Sequence, residues 1–238
     1  MTTRARENLP RPIVVAPSIL SADFAHLADE IRAVDLAGAD WIHIDVMDGR
    51  FVPNITFGPV IIEAVRRCTQ KPLNVHLMIV EPERYLSAFA KAGADHLLVP
   101  AEPSATVHLH RVLSQIRDLG KRAGVVLDPA SRIELIEYVL HLCDIVLVMT
   151  VNPGFSDQRF LPEMLPKIRR LRQLCEARGL DPFIEVDGGE NHETGRQAIA
   201  AGANVIVAGS AIFGSRDYAA AIAAIREAHS PLVTTAQL

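Results

Sequence analysis

Ala37-Gly38-Ala39-Asp40-Trp41-Ile42-His43-Ile44-Asp45-Val46-Met47-Asp48-Gly49 reads as a helix stop, a buried β-strand and a turn in immediate succession. Gly38 supplies the left-handed residue on which helices end, and the next residues feed directly into the strand. Strand side chains alternate faces with a period of two, so His43 and Asp45 point the same way. The pattern recurs. Ala92-Gly93-Ala94-Asp95 and Ala201-Gly202-Ala203-Asn204 also separate a helical stretch from an apolar run. Val75-His76-Leu77-Met78 ends a second polar-tipped strand, and Ile184-Glu185-Val186-Asp187-Gly188-Gly189 ends a third.

Extended outward, this alternation covers the chain. Strands are expected at Ile13–Ala16, Trp41–Asp45, Leu73–Leu77, His96–Val99, Ala123–Leu127, Ile145–Met149, Phe183–Val186 and Val205–Ala208. Helical patterns lie near 24–36, 59–68, 82–92, 104–119, 132–141, 163–178, 193–201 and 216–228. Eight strands, each followed by a helix, give an α/β fold: a (β/α)8 TIM barrel. Pro59, Pro82 and Pro162 fall at first helical turns, where a missing N–H costs nothing, whereas Ser104 lacks the Glu or Gln of a capping box. No linker divides the chain. A single domain over 13–228 is expected, with a flexible leader at 1–12 and a flexible tail at 229–238.

Bulk properties narrow the function. The 238 residues are 49% hydrophobic and 22% charged, with a formal net charge of −4. That balance leaves no electrostatic footprint for nucleic acid or an anionic membrane. No apolar run reaches the length needed to span a bilayer, and the first residues lack the apolar stretch of a secretory signal. Cys68, Cys143 and Cys175 are odd in number and widely spaced, as expected of small reduced residues in a cytoplasmic protein.

The chemistry-bearing residues collect at strand exits, which in a parallel barrel form the functional face. They are Ser18, His43, Asp45, His76 and Asp187. Alone, a strand His is more often a satisfied core residue, and an Asp before Gly more often a turn former. Together, two His and two Asp form a divalent-metal set, because a cation offsets the cost of burying carboxylates. Asp45 and Asp187, on different strands, offer two groups able to take and return a proton. Met47, Met78 and Met149 sit at equivalent exits and form a soft apolar wall. Gly-rich turns follow strands 6, 7 and 8 (Asn152-Pro153-Gly154-Phe155, Asp187-Gly188-Gly189, Ala208-Gly209-Ser210) and suit a phosphate cradle. The four lysines, at 71, 91, 121 and 167, avoid the strand exits in sequence, which argues against Schiff-base chemistry.

Ala16-Pro17-Ser18-Ile19-Leu20-Ser21-Ala22-Asp23-Phe24, His43 through Pro59, His76-Leu77-Met78, Val148 through Phe155, Glu185 through Gly189 and Ala208 through Phe213 are similar to the ribulose-phosphate 3-epimerase family. The resemblance implies a metal-dependent barrel interconverting D-ribulose 5-phosphate and D-xylulose 5-phosphate. His43, Asp45, His76 and Asp187 would be the metal ligands, and Asp45 and Asp187 also the acid–base pair that inverts C3 through a metal-stabilised enediolate. Ser18 and His76 would contact the sugar, and Met47, Met78 and Met149 would line the enediolate. Backbone of Gly154, Phe155, Ser156, Asp157, Gly188, Gly189, Gly209 and Ser210 would hold the phosphate.

The resemblance also implies one divalent ion per subunit (Zn, Fe(II), Mn or Co) and a homo-oligomer acting on a small-molecule sugar phosphate. The chain departs from the family pattern at Ser156-Asp157, Pro100, Asp128 and Arg50. Three alternatives compete: an epimerase for a hexulose phosphate such as allulose 6-phosphate, a decarboxylating or aldol-type barrel, and a silent sugar-phosphate binder. The second expects Lys where this chain has Met47.

Overall fold

The computed structural model describes residues 12–228; nearly all of the leader and the whole tail, at 1–11 and 229–238, lie outside the described residues. Eight strands run parallel: β1 (Val14–Pro17), β2 (Ile42–Met47), β3 (Leu73–Met78), β4 (His96–Pro100), β5 (Arg122–Leu127), β6 (Ile145–Met149), β7 (Phe183–Asp187) and β8 (Val205–Ala208). Each pairs with its neighbour in sequence from β2 to β8, and β8 pairs with β1. The seam between β1 and β2 is closed by a bridge from Ser18 to His43 and by the Asp40 amide donating to the Val15 carbonyl. The expected barrel is therefore observed.

Gly38, Gly93 and Gly202 all adopt positive φ (+95°, +115° and +115°) at the helix-to-strand joints. A side chain at two of them would collide: a Cβ at Gly93 would lie 2.8 Å from Arg66, and one at Gly202 2.8 Å from Arg172.

The outer ring holds α1 (Leu27–Leu36), α2 (Pro59–Arg66), α3 (Leu86–Ala92), α4 (Leu109–Asp118), α5 (Leu165–Ala177), α6 (His192–Ala201), the short α7 (Ser210–Phe213) and α8 (Tyr218–Glu227). In α5 the buried Ile168, Leu171, Arg172 and Cys175 make one helical stripe, packed on the outward face of the sheet. Two expectations are corrected. Helix α4 starts at Leu109 rather than near 104, because 102–106 instead form a turn on the Glu102 carbonyl, with the Glu81 amide bonded to the Ala105 carbonyl. Between β5 and β6, residues 132–141 form two 3₁₀ turns, Ile133–Leu135 and Leu140–Leu142. Buried Ile133, Ile136 and Val139 recur every three residues, and the amides bond three residues back; that is 3₁₀ geometry.

The barrel interior is layered. Trp41 closes its lower end edge-on against His96 (4.5 Å) and Phe183 (5.0 Å). Burial, with Arg122 nearby, brings His96 down to about 4, so it packs as a neutral ring. Above lie Leu98, Val126, Leu147 and Val205. Gly124 is required there, since a Cβ would sit 2.4 Å from the Leu98 side chain. The polar residues occupy what remains, the upper end.

Candidate metal centre and active site

Register places the inward-facing pairs side by side. His43 aligns with Asn74, Asp45 with His76, and Met47 with Met78, while Met149 aligns with Asp187 on the opposite wall. His43 Nε2 lies 3.2 Å from Asp45 Oδ1 and 3.7 Å from Asp187 Oδ2. His76 Nδ1 lies 3.3 Å from the same Asp45 oxygen and 4.0 Å from the same Asp187 oxygen. One ligand atom from each of the four residues falls within 4.8 Å of all the others.

The set fits a metal ion. His76 Nδ1 is buried, points into the cluster and has no hydrogen-bond partner among the described residues. Two imidazoles and two carboxylates around one point are also the donor chemistry of a divalent transition ion.

Local structure fixes these side chains. Ser18 Oγ donates to Asp45 Oδ2 (2.7 Å), holding that carboxylate from the neighbouring strand. Thr56, in the loop after β2, donates to the Asp45 carbonyl and accepts from the Met47 amide. Asp48 accepts from the Arg50, Phe51 and Val80 amides, shaping the turns above β2 and β3. Asp48 is thus the turn former, and Asp45 belongs to the site.

The electrostatics separate the two acids. Burial works against charge on Asp45, yet the His43 ring, with His76, holds its carboxyl well below the usual range. Burial, reinforced by the Asp45 charge, pushes Asp187 up to about 8. Burial opposes protonation of His43, but the Asp45 charge and hydrogen bond, with the Glu185 carboxylate close by, raise its proton affinity above that of a free imidazole.

Sequence reading missed the layer beneath. Glu185 Oε1 lies 3.1 Å from His43 Nδ1, off the ideal in-plane direction, and accepts from Asn74 Nδ2 at 2.6 Å. Both residues are fully buried. Asn74 and Glu185 each stand two residues before a proposed ligand. The period-two rule that paired His43 with Asp45 would have found them.

Above the cluster lies a cavity open to solvent. Ser18, Asp45, Met47, Met78, Met149 and Asp187 line it, while His43 and His76, the latter expected to touch the sugar, are buried behind the two aspartates and outside the lining. Gly154 through Asp157, Gly188, Gly189, Gly209 and Ser210 also reach it, so every expected phosphate-contact residue borders the same space. Asn54 Nδ2 pins the Gly154 carbonyl, and Gln158 staples the carbonyls of Asn152 and Phe155. Asp157 is exposed with φ +58°.

Lys167 departs from its place in sequence. Its Nζ reaches the exit of β5 and donates to the carbonyls of Asp128 (2.9 Å) and Pro129 (2.7 Å), outside the lining of the cavity.

Fold and site together define a (β/α)8-barrel enzyme with a His₂Asp₂ cluster at the base of its cavity. The chain belongs to the ribulose-phosphate 3-epimerase family, whose model matches residues 14–213. Ribulose-phosphate 3-epimerase of Synechocystis sp. is 61% identical over 94% of this chain and 97% of its own length. The Bacillus subtilis protein of the same name is 57% identical over 90% and 98%. The chloroplastic ribulose-5-phosphate-3-epimerase of Arabidopsis thaliana is 54% identical over 92% and 78%. Among solved structures, KGPDC from Streptococcus mutans superposes with a TM-score of 0.67 at 13% identity, over 92% of this chain and 97% of that one. At that identity the likeness concerns the fold.

Proposed function

We propose that this chain interconverts D-ribulose 5-phosphate and D-xylulose 5-phosphate by inverting C3. The observation that carries the reading is the meeting of two carboxyl groups, Asp45 from β2 and Asp187 from β7, on the lining of one cavity beside His43 and His76. Inversion needs one carboxylate to remove a proton and one carboxylic acid to supply a proton on the other face. Removal of the C3 proton leaves its electron pair to delocalise onto the C2 carbonyl oxygen as an enediolate. Protonation of C3 from the opposite side completes the exchange and leaves the two acids with their roles reversed.

His43 Nε2, His76 Nδ1, Asp45 and Asp187 would hold a divalent ion, with Zn²⁺, Fe²⁺, Mn²⁺ and Co²⁺ all compatible with this donor set. When bound, such an ion supplies Lewis-acid stabilisation of the oxygen charge. Ser18, whose hydrogen is given to Asp45, keeps its lone pairs for a substrate hydroxyl. Met47, Met78 and Met149 exclude water without offering a competing proton. The Gly154–Asp157, Gly188–Gly189 and Gly209–Ser210 backbone takes the phosphate at the far rim. The exposed Phe24 packs edge-on at 5.4 Å against Phe57, which lies between the exposed Ile55 and Val60 in sequence, and these apolar groups support a homo-oligomer.

The test is turnover by anaerobically purified protein. Interconversion of the pentulose phosphates, lost on chelation and restored by a divalent ion, is expected to exceed that of allulose 6-phosphate. No pentulose turnover, or a clear hexulose preference, overturns the reading.

A further inference from the structure

Behind the glycines at the exit of β7 lies a carboxyl group the proposed reaction does not use. Glu190 is 5% exposed, and its surroundings permit a count of hydrogens. Thr150 Oγ1 lies 2.8 Å from the Gly188 carbonyl oxygen and 3.1 Å from Glu190 Oε1. A hydroxyl has one hydrogen, and a carbonyl can only accept. The shorter contact therefore uses the hydrogen of Thr150. Thr194 Oγ1 accepts from the Asn191 amide and donates to the Gly189 carbonyl, both at 2.9 Å, so its hydrogen is also committed. With the Thr150 hydrogen given to Gly188, the hydrogen bond between Thr150 and Glu190 takes its hydrogen from Glu190. Its other oxygen, Oε2, is buried without a hydrogen-bond partner among the described residues, where an ionised carboxylate would be costly.

We propose that Glu190 is held as a neutral carboxylic acid, and that its O–H, relayed through Thr150 to the Gly188 carbonyl, positions the Gly188–Gly189 turn as the phosphate cradle. The cradle half of this inference rests on the proposed function; the proton assignment does not. The turn needs such holding. Gly188 and Gly189 have φ of +125° and +71°, and a Cβ on either would meet Val151 at 2.4 Å or the Phe160 amide at 2.5 Å.

Asp187 on β7 is the titratable group acting on Glu190; Thr150 on β6 and Thr194 and Gly195 on α6 are uncharged. Burial pushes the Glu190 carboxyl up to about 8, against the Thr150 and Thr194 hydroxyls, which favour its ionised form, and with the Asp187 charge acting in the same direction as burial. A neutral acid donates without repelling a phosphate dianion. An ionised one would release the relay and place a negative charge beside the ligand. Glu190 is accordingly a positioning residue, and its signature is in KM.

The experiment combines carboxyl ¹³C NMR of zinc-loaded protein with pH-dependent kinetics. Wild type is expected to show one glutamate resonance still protonated at pH 7, absent from Glu190→Gln. KM for ribulose 5-phosphate should rise on the alkaline side as that resonance titrates, with kcat little changed. Glu190→Gln, which keeps a neutral donor, should retain the neutral-pH KM within about twofold and lose the alkaline rise. Glu190→Leu and Thr150→Val should each raise KM about tenfold, the scale of one hydrogen bond, and the double variant no further. Circular dichroism and thermal melting identify variants that fail to fold, and Glu190→Gln decides if Glu190→Leu does. An ionised Glu190 at pH 7, or an unchanged KM in folded Glu190→Leu, overturns the inference. A protonated Glu190 in protein that turns over no pentulose phosphate supports the proton assignment while contradicting the proposed function.

Discussion

Replacing Glu185 with Gln should weaken metal binding while leaving the fold in place. In the structure a single Glu185 oxygen accepts from Asn74 and faces His43 Nδ1 at 3.1 Å, both side chains being inaccessible to solvent. A glutamine oxygen can stand in the same place, so the substitution removes charge and little geometry. With a metal bound, a carboxylate at this position would favour the His43 tautomer that carries its hydrogen on Nδ1, leaving the Nε2 lone pair for the ion, and would raise the basicity of the ring. Loss of such an outer partner costs about 10–100-fold in metal affinity, or roughly 1.4–2.7 kcal/mol. Competition against a chelating dye measures this directly. Affinity within twofold of wild type in folded Glu185→Gln would refute a supporting role for Glu185.

Other expectations are independent of that one. Ser18→Ala removes the hydrogen bond that favours ionised Asp45, so the acid limb of the kcat profile should move to higher pH; an unmoved limb counts against Ser18 as its partner. Gly124→Ala should cost about 1–3 kcal/mol in urea unfolding through overpacking against Leu98, with kcat retained, and a neutral result would contradict the tight interior layer. Metal-free protein should lose stability as pH rises from about 4 to 8. Asp187 and Glu190 hold protons up to about 8 when folded but release them near 3.8 and 4.5 when unfolded, so unfolding liberates protons across that window. Asp45, held low, acts in the opposite sense only below about pH 4, and His96, brought down to about 4 from 6.5, opposes the trend between about 4 and 6.5 as one group against two. Urea midpoints of chelated protein at pH 5.5 and 8.5 check the sign; an equal or higher midpoint at 8.5 contradicts it.

What the chain revealed before folding followed from local periodicity. All eight strands lie within two residues of their expected ends, because apolar runs bounded by Ala-Gly-Ala joints are local signals. The four proposed ligands were legible because Asp45, His76 and Asp187 stand toward the ends of their strands and His43 shares a strand face with Asp45 two residues on. Partners that depend on barrel closure were harder to see. That Glu185 on β7 faces His43 on β2 depends on how a ladder of eight strands closes on itself. Thr56 and Thr150 are single hydroxyls whose roles arise only where two loops meet. The stretch 132–141 misled because apolar spacings of three and of four look alike over so few residues, and hydrogen bonding chose the tighter turn.

The central claim is that Asp45 and Asp187 act as two separate proton carriers on opposite faces of one carbon. Turnover of unlabelled D-ribulose 5-phosphate in ²H₂O tests it most directly, with the product analysed by mass spectrometry and NMR at low conversion. Xylulose 5-phosphate should carry deuterium at C3 from the first turnovers, with formation abolished in both Asp45→Asn and Asp187→Asn. Product that retains its original C3 protium, or turnover that persists in either variant, would contradict the two-carboxylate account.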